Sequence, residues 1–142
     1  MKKSDTLEVK VERTLSTTPE KAYRAWLNPK TKGTPWNIGE KLLLTPKVNG
    51  FFYWLVSGTP HYGRFTKLKA GQQAQYTWMS PYTEGQESTV TVTFKKAGEN
   101  TLMTLLHTDL PNSSKGKAHI EGWNEFLDVF PKQFVKTAKK KK

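Results

Sequence analysis

The sequence predicts an α+β domain in which a curved antiparallel sheet of about six to seven strands wraps around one long C-terminal helix. Three observations support this prediction. The stretch "LEVKVERTL", residues 7–15, alternates apolar and polar residues as a half-buried strand does. Short apolar runs separated by turn residues then follow one another, which is typical of an antiparallel meander. The last apolar segment recurs every three or four residues, and this helical element is the only one long enough to cover the sheet.

One or two short helices are expected between the first strand and the meander. In "STTPEKAYRAWLNP", Thr17 or Thr18 can cap a helix, and Pro19 suits its first turn because the missing N–H costs nothing there. An apolar stripe follows at helical spacing, formed by Ala22, Tyr23, Trp26 and Leu27. Gly33 and Pro35 limit any second helix to about one turn.

The meander contains six predicted strands, at about residues 41–45, 50–57, 61–68, 73–79, 87–95 and 101–108. The clearest is "STVTVTF", in which Val90, Val92 and Phe94 are expected to point inward while the threonines point outward.

The final helix can be capped by Ser113 or Ser114. Its apolar positions recur at His119, Trp123, Leu127, Phe130 and Phe134. Pro131 lies inside this pattern and cannot make the bond to the carbonyl four residues earlier. We therefore predict a kink or an end between Leu127 and Pro131, with Phe134 still packed on the rim of the sheet.

The stretch "GFFYWLV", residues 50–56, is apolar on both faces of its strand. Phe52, Trp54 and Val56 are expected to face the helix, whereas Phe51, Tyr53 and Leu55 lie on the convex face. An exposed apolar patch usually marks an interface, so the sequence predicts a homodimer through this face. In the alternative interpretation, the loop at residues 31–40 or the stem of Arg64 covers the patch.

Composition sets further limits. The 142 residues suit one domain, which we place at residues 1–136, followed by a basic tail at 137–142 that we expect to be disordered. The net charge is +11, and six lysines lie from residue 132 onward. Weak contacts of this tail with anionic partners such as nucleic acid or lipid are the functional interpretation, and simple solvation is the alternative.

Targeting signals are not evident. No apolar run is long enough to cross a membrane, and "MKKSDTLEVK" has no apolar segment of the kind that a secretory signal needs. The absence of cysteine excludes disulfides and thiolate zinc sites and is compatible with a cytoplasmic location. We therefore expect a cytoplasmic protein that does not insert into membranes.

Several motifs, taken together and in order, resemble one family. "STTPEKAYRAWLNP", "GRFTKL" with "YTW", "TLLHTDLP" and "HIEGWNEFLDVF" are similar to motifs of the START-like (SRPBCC) superfamily, in the branch related to the activator of the heat-shock-protein-90 ATPase (Aha-type). The resemblance spans about residues 8–134 and implies the helix-grip fold. That fold serves lipid carriers, polyketide cyclases, hormone receptors and co-chaperone domains. Asp109 stands where the family motif usually has glycine.

The resemblance also implies which residues line a cavity between sheet and helix. The strand pattern of the family puts five aromatic residues on the concave face, with Trp36 near the entrance. His107 shares a strand face with Met103 and Leu105, so it is expected to point into the cavity. His119, one turn before Trp123, is expected at the cavity mouth or the amino end of the helix, or it is structural. The candidate ligand-binding residues are Trp36, Phe52, Trp54, Phe65, Tyr76, Trp78, His107, His119 and Trp123. Aromatic walls suit a small hydrophobic, flat or lipid-like molecule, unless the same rings simply fill the core.

Signs of catalysis are weak. The three histidines lack metal-ligand spacing, His61 is expected to be exposed, and no nucleotide or cofactor fingerprint occurs. His107 can be a polar anchor, a general base or a structural histidine, and catalysis would need Tyr76, His107 or an acid such as Glu121. We therefore expect a binding protein without cofactor or metal. A co-chaperone-like interaction module and a polyketide-cyclase-like enzyme are the alternatives.

Overall fold

A computed structural model describes residues 6–134. Its centre is a seven-stranded antiparallel sheet with the order β1-β7-β6-β5-β4-β3-β2. The strands are β1 (Thr6–Leu15), β2 (Lys41–Leu44), β3 (Phe51–Val56), β4 (Thr59–Lys69), β5 (Gln73–Trp78), β6 (Ser88–Ala97) and β7 (Asn100–Pro111). Together with the long helix near the C-terminus, this sheet confirms the predicted α+β helix-grip architecture.

Alternation along each strand separates a buried concave face from a convex one. On β6, Val90, Val92 and Phe94 are buried, whereas the intervening threonines are only half-buried, as the sequence predicts. The hairpin between β3 and β4 closes through two residues, Ser57 and Gly58, whose φ angles are 51° and 75°. Positive φ at both positions is the geometry that matches the twist of paired strands, and it holds the register of β3 against β4.

Helix α1 (Pro19–Trp26) begins as predicted. The Thr18 side chain accepts a hydrogen bond from the Lys21 backbone N–H at 3.3 Å, and Pro19 occupies the first turn. The helix buries Ala22 and Trp26 against the concave face. A one-turn 3-10 helix (Pro35–Asn37) follows, within the limit that Gly33 and Pro35 set.

Helix α2 (Ser114–Val129) packs across the concave face and is capped by the Ser113 hydroxyl, which accepts from the Gly116 N–H. It ends at Val129, and the chain continues as a 3-10 helix (Phe130–Phe134), so the predicted break ahead of Pro131 is confirmed. Phe134 is half-buried, and its ring centroid lies 5.3 Å from that of Phe130.

The edge strand β1 is tied to α2 by Arg13. Its guanidinium donates to the Asp128 carboxylate at 2.8 Å and to the Asn124 side-chain oxygen at 3.1 Å. These contacts hold the C-terminal half of α2 over the edge of the sheet.

Asp109, which stands where the resembled motif usually has glycine, has a backbone conformation that glycine favours. The pairing of β1 with β7 shifts between Leu7 and Val9, so Thr108 and Asp109 together oppose one residue of β1 in a bulge. Asp109 has a φ of 66°, a left-handed conformation that costs most residues energy.

We expect the substitution Asp109→Gly to raise the free energy of unfolding by up to about 1 kcal/mol, because glycine adopts this conformation without strain. Urea denaturation measures the change. The control is Thr108→Gly, which places glycine in the adjacent residue without positive φ and should destabilise. A stability of Asp109→Gly equal to or below wild type would show that the bulge is not strained.

The boundary at residue 136 and the basic tail at 137–142 reach beyond the described residues, so both stay predictions. None of the helices formed by residues 6–134 combines the length and apolar character that a membrane crossing requires.

Candidate functional site

The centre of the concave face is packed with aromatic rings. Phe52 and Phe65 on neighbouring strands meet Tyr76 with ring centroids 5.8 and 5.4 Å away. Trp26 from α1 donates its indole N–H to the Tyr76 hydroxyl at 3.2 Å. All four side chains are almost fully buried, so this part of the predicted cavity is core.

Trp36 completes this core, and its expected position near an entrance is wrong. Only 3% of its surface is exposed, its ring centroid lies 5.1 Å from Phe52 and 5.7 Å from Tyr76, and its indole N–H donates to the Trp26 carbonyl at 2.9 Å. The 3-10 turn at Pro35–Asn37 directs the ring inward rather than to the rim.

A pocket of about 180 Å³ lies between the middle of α2 and strands β3, β4 and β5. Four of the predicted ligand-binding residues line it, namely Trp54, Trp78, His119 and Trp123. The pocket wall also contains five residues that were not predicted, which are His61, Tyr82, Ala118, Gly122 and Phe126. The other predicted residues, Trp36, Phe52, Phe65, Tyr76 and His107, are not part of this wall.

The tryptophans around the pocket form a continuous chain of rings. The centroids of Trp54 and Trp78 are 5.7 Å apart, those of Trp78 and Trp123 are 5.1 Å apart, and those of Trp123 and Trp26 are 6.4 Å apart. All of these pairs meet at tilted angles, which aromatic quadrupoles favour over a face-to-face sandwich.

His61 is buried, which corrects the expectation that it is exposed. It pairs across the sheet with Trp54, its ring centroid lies 4.6 Å from that of Trp54, and only 9% of its surface is exposed. The burial of His61 could have been predicted from the sequence, because His61 lies four residues before Phe65 and therefore on the same face of the strand.

His107 is held in a complete hydrogen-bond network. Its Nδ1 accepts from the Trp123 indole N–H at 2.9 Å, so the ring proton is on Nε2, which donates to the Ser88 hydroxyl at 2.7 Å. That hydroxyl in turn donates to the Trp78 carbonyl. Burial holds the pKa of His107 well below its usual range, and protonation of nearby His119 would lower it further. The network favours the structural interpretation of this histidine.

His119 and His61 face the pocket as neutral rings near pH 7. His119 Nδ1 donates to the Gly116 carbonyl at 3.0 Å, and burial lowers its pKa. Burial lowers the pKa of His61 to about 4, although nearby backbone groups of Trp54 and Thr59 act in the opposite direction.

We expect the protein to lose stability as the pH falls from 7 to 5. An unfolded histidine has a pKa of about 6.5, whereas folded His61 has a pKa of about 4. Between these two pH values the unfolded chain binds a proton that folded His61 does not bind, and this difference favours unfolding. His61 alone should account for a loss of up to about 2 kcal/mol at pH 5. Urea denaturation at both pH values measures the loss, which should be smaller in His61→Phe. An equal loss in that variant would show that other titratable groups cause the acid sensitivity.

Two polar atoms in the pocket wall have no partner among residues 6–134. They are Trp78 Nε1 and His61 Nδ1, and both are buried. Tyr76, considered as a catalytic residue from the sequence, is fully buried, which raises the pKa of its hydroxyl. Glu121 is exposed on α2. Within the described part of the chain, no three histidine, aspartate or glutamate side chains cluster as metal ligands would.

The convex face carries an apolar surface near the β2 edge of the sheet. Leu43 is 63% exposed, Phe51 is 67% exposed and Tyr62 is 42% exposed. Tyr53, half-buried, lies between them, since it pairs with Leu43 on one side and stacks on Tyr62 at 6.3 Å on the other. We call Leu43, Phe51, Tyr53 and Tyr62 the convex patch. The 31–40 loop leaves Leu43 and Phe51 exposed, and Trp36 of that loop packs on the opposite face.

The fold and this site define a helix-grip protein with an aromatic pocket under its long helix. The family model for the Activator of Hsp90 ATPase homolog 1-like proteins matches residues 16–134, and the chain belongs to this family. No curated protein gave a significant sequence match.

Solved structures support the same fold. A crystal structure from Chromobacterium violaceum is 22% identical with a TM-score of 0.73, covering 89% of this chain and 96% of that one. A Plasmodium falciparum protein described as an HSP90 activator is 23% identical with a TM-score of 0.71, covering 86% and 91%. The Aha1 dimer from Colwellia psychrerythraea, solved in solution, is 16% identical with a TM-score of 0.68, covering 85% and 90%.

Proposed function

We propose that this protein binds a small hydrophobic aromatic molecule in the pocket between α2 and strands β3–β5. The observation that carries the proposal is the pocket wall itself, in which Trp54, Trp78, Trp123 and Phe126 surround a space of about 180 Å³. Aromatic walls with a few polar groups are typical of sites for flat ligands.

The pocket volume limits the size of the ligand. An apolar cavity of about 150 Å³ accommodates benzene, whereas sites for larger ligands occupy about 300–1,000 Å³. The pocket therefore suits a molecule of one or two rings. Trp36, Phe52 and Tyr76 close the space beyond the pocket, so the part of a ligand that lies under α2 is limited to this size.

Titration with α-methylstyrene, a one-ring hydrocarbon, tests the proposal. We expect saturable one-to-one binding. Quenching of tryptophan fluorescence and native mass spectrometry measure it. Palmitate at the same concentrations serves as the oversized control and should not compete. If neither α-methylstyrene nor a ring compound with a polar substituent saturates, the proposal is wrong.

A second proposal concerns the convex patch, which we assign to an interface between two copies of this chain. A two-fold contact buries the same patch on both copies, and it removes Leu43 and Phe51 from water. The dimeric Aha1 neighbour supports this assignment by fold likeness. A co-chaperone-like role, which the family relationship suggests, would use the same surface for a different protein partner.

We expect Phe51→Lys to convert a dimer into a monomer, because a lysine in the middle of an apolar interface must be desolvated. Sedimentation at several concentrations measures the change. Ile120→Lys is the matched control, since Ile120 is 46% exposed on α2 and lies outside the convex patch. A wild type that stays monomeric at high concentration, or an equal effect of both variants, would exclude this interface.

The remaining proposals rest on the sequence. A cytoplasmic location is compatible with the absence of cysteine. Weak contacts of the lysine tail with anionic partners stay a prediction.

A further inference from the structure

Trp78 differs from the other four tryptophans in its hydrogen bonding. Trp26 donates to Tyr76, Trp36 to the Trp26 carbonyl, Trp54 to the Ile38 carbonyl and Trp123 to His107. Trp78 Nε1 alone among them has no acceptor within residues 6–134, although the residue is only 3% exposed. An indole N–H can only donate, so nothing but an acceptor atom can satisfy it.

His61 lies beside it on the neighbouring strand, with its ring centroid 5.3 Å from that of Trp78. Its Nδ1 is buried without a hydrogen bond of good geometry among residues 6–134, although the backbone groups of Trp54 and Thr59 act on the ring as weak acceptors. Buried polar groups are almost always hydrogen-bonded, so an exception calls for an explanation, such as a bound partner that completes the site. The unsatisfied Trp78 N–H, in the wall of a small pocket, therefore indicates an acceptor group on the ligand.

The pocket wall also limits the charge of that group. Among residues 6–134, it contains no lysine, arginine, aspartate or glutamate, so none of its described side chains is permanently charged. Burial lowers the pKa of both His61 and His119, which leaves their rings neutral near pH 7. A carboxylate in this pocket would lose its hydration without gaining a counter-charge.

We propose that the ligand is an uncharged aromatic molecule that carries a hydrogen-bond acceptor, as an aryl ketone does, and that this acceptor binds the indole N–H of Trp78. The inference rests on the proposed binding function. The Trp78 N–H lies below the pocket surface, so binding includes a rotation of the Trp78 ring that brings it to the ligand.

Three probes of nearly equal shape test the inference. Acetophenone is neutral and carries an acceptor, α-methylstyrene replaces its oxygen by a methylene group, and benzoate carries a charge. We expect acetophenone to bind about fivefold to tenfold more tightly than α-methylstyrene, because it satisfies a buried donor. Benzoate should bind more weakly than acetophenone.

An NMR readout identifies the atom involved. The indole N–H resonance of Trp78, assigned by its loss in Trp78→Phe, should move downfield on addition of acetophenone and much less with α-methylstyrene. The Trp26 indole resonance, whose N–H already has an acceptor, is the internal control.

The outcomes separate the two proposals. Equal affinities for acetophenone and α-methylstyrene, or tightest binding of benzoate, would overturn the inference and leave the binding function intact. Downfield movement confined to an indole other than Trp78 would also overturn it. If none of the probes saturates, the binding function fails and the inference fails with it.

Discussion

Replacing Gly122 by leucine is expected to weaken binding of α-methylstyrene at least about tenfold, an effect of about 1.4 kcal/mol or more. Gly122 lines the pocket, and a Cβ added there would have no heavy atom within 4 Å beyond its own helix and chain neighbours. The leucine side chain therefore has room to enter the pocket and take the place of a ligand. Fluorescence titration of wild type and variant measures the difference.

The same variant should fold at least as well as wild type, because leucine favours the interior of a helix over glycine by up to about 1 kcal/mol. Loss of binding together with retained stability would separate a blocked pocket from a damaged core. Glu121→Leu is the matched control, since it adds the same side chain to α2 at an exposed neighbour outside the pocket wall. Unchanged affinity in Gly122→Leu would show that ligands bind elsewhere.

The substitution His107→Leu is expected to lower the free energy of unfolding by about 3 kcal/mol. Two hydrogen bonds are lost, each contributing about 1 kcal/mol, and the buried Trp123 N–H is left without its acceptor. Leucine fills a similar volume, so a cavity adds little to the loss. Urea denaturation at pH 7 measures the change.

His107→Gln should recover part of this loss, because a glutamine amide offers both an acceptor toward Trp123 and a donor toward Ser88. The comparison separates the polar network from ring packing. Equal stability of wild type and His107→Leu would contradict a structural role. His107 would then again be a candidate for ligand binding or catalysis.

Periodicity was sufficient to predict the sheet and its covering helix. Strand β6 and helix α2 each bury one face, and a residue on such an element inherits its direction from its position in the repeat. Pro131 marked the end of α2 for an equally local reason, the missing N–H. His61 follows the same rule, and its burial could have been predicted from Phe65.

The extent of the pocket could not be predicted in this way. Strand phase shows that Phe52 and Tyr76 point inward, but it does not show whether another ring fills the space between them. Trp36 fills that space from a 3-10 helix of only one turn. A segment this short shows no hydrophobic periodicity, so only the tertiary path of the loop determines where the ring lies. The pocket is consequently smaller than an aromatic-lined cavity along the whole concave face would be.

The chain of rings from Trp54 through Trp78 and Trp123 to Trp26 also affects the fluorescence of the protein. Centroids 5.1 to 6.4 Å apart are close enough for excitation to pass between indoles before emission. Light absorbed deep in the core at Trp26 can thus leave through Trp54 or Trp78, at the wall of the pocket. A single quencher bound in the pocket would therefore also reduce the fluorescence that originates at Trp26, which it does not contact.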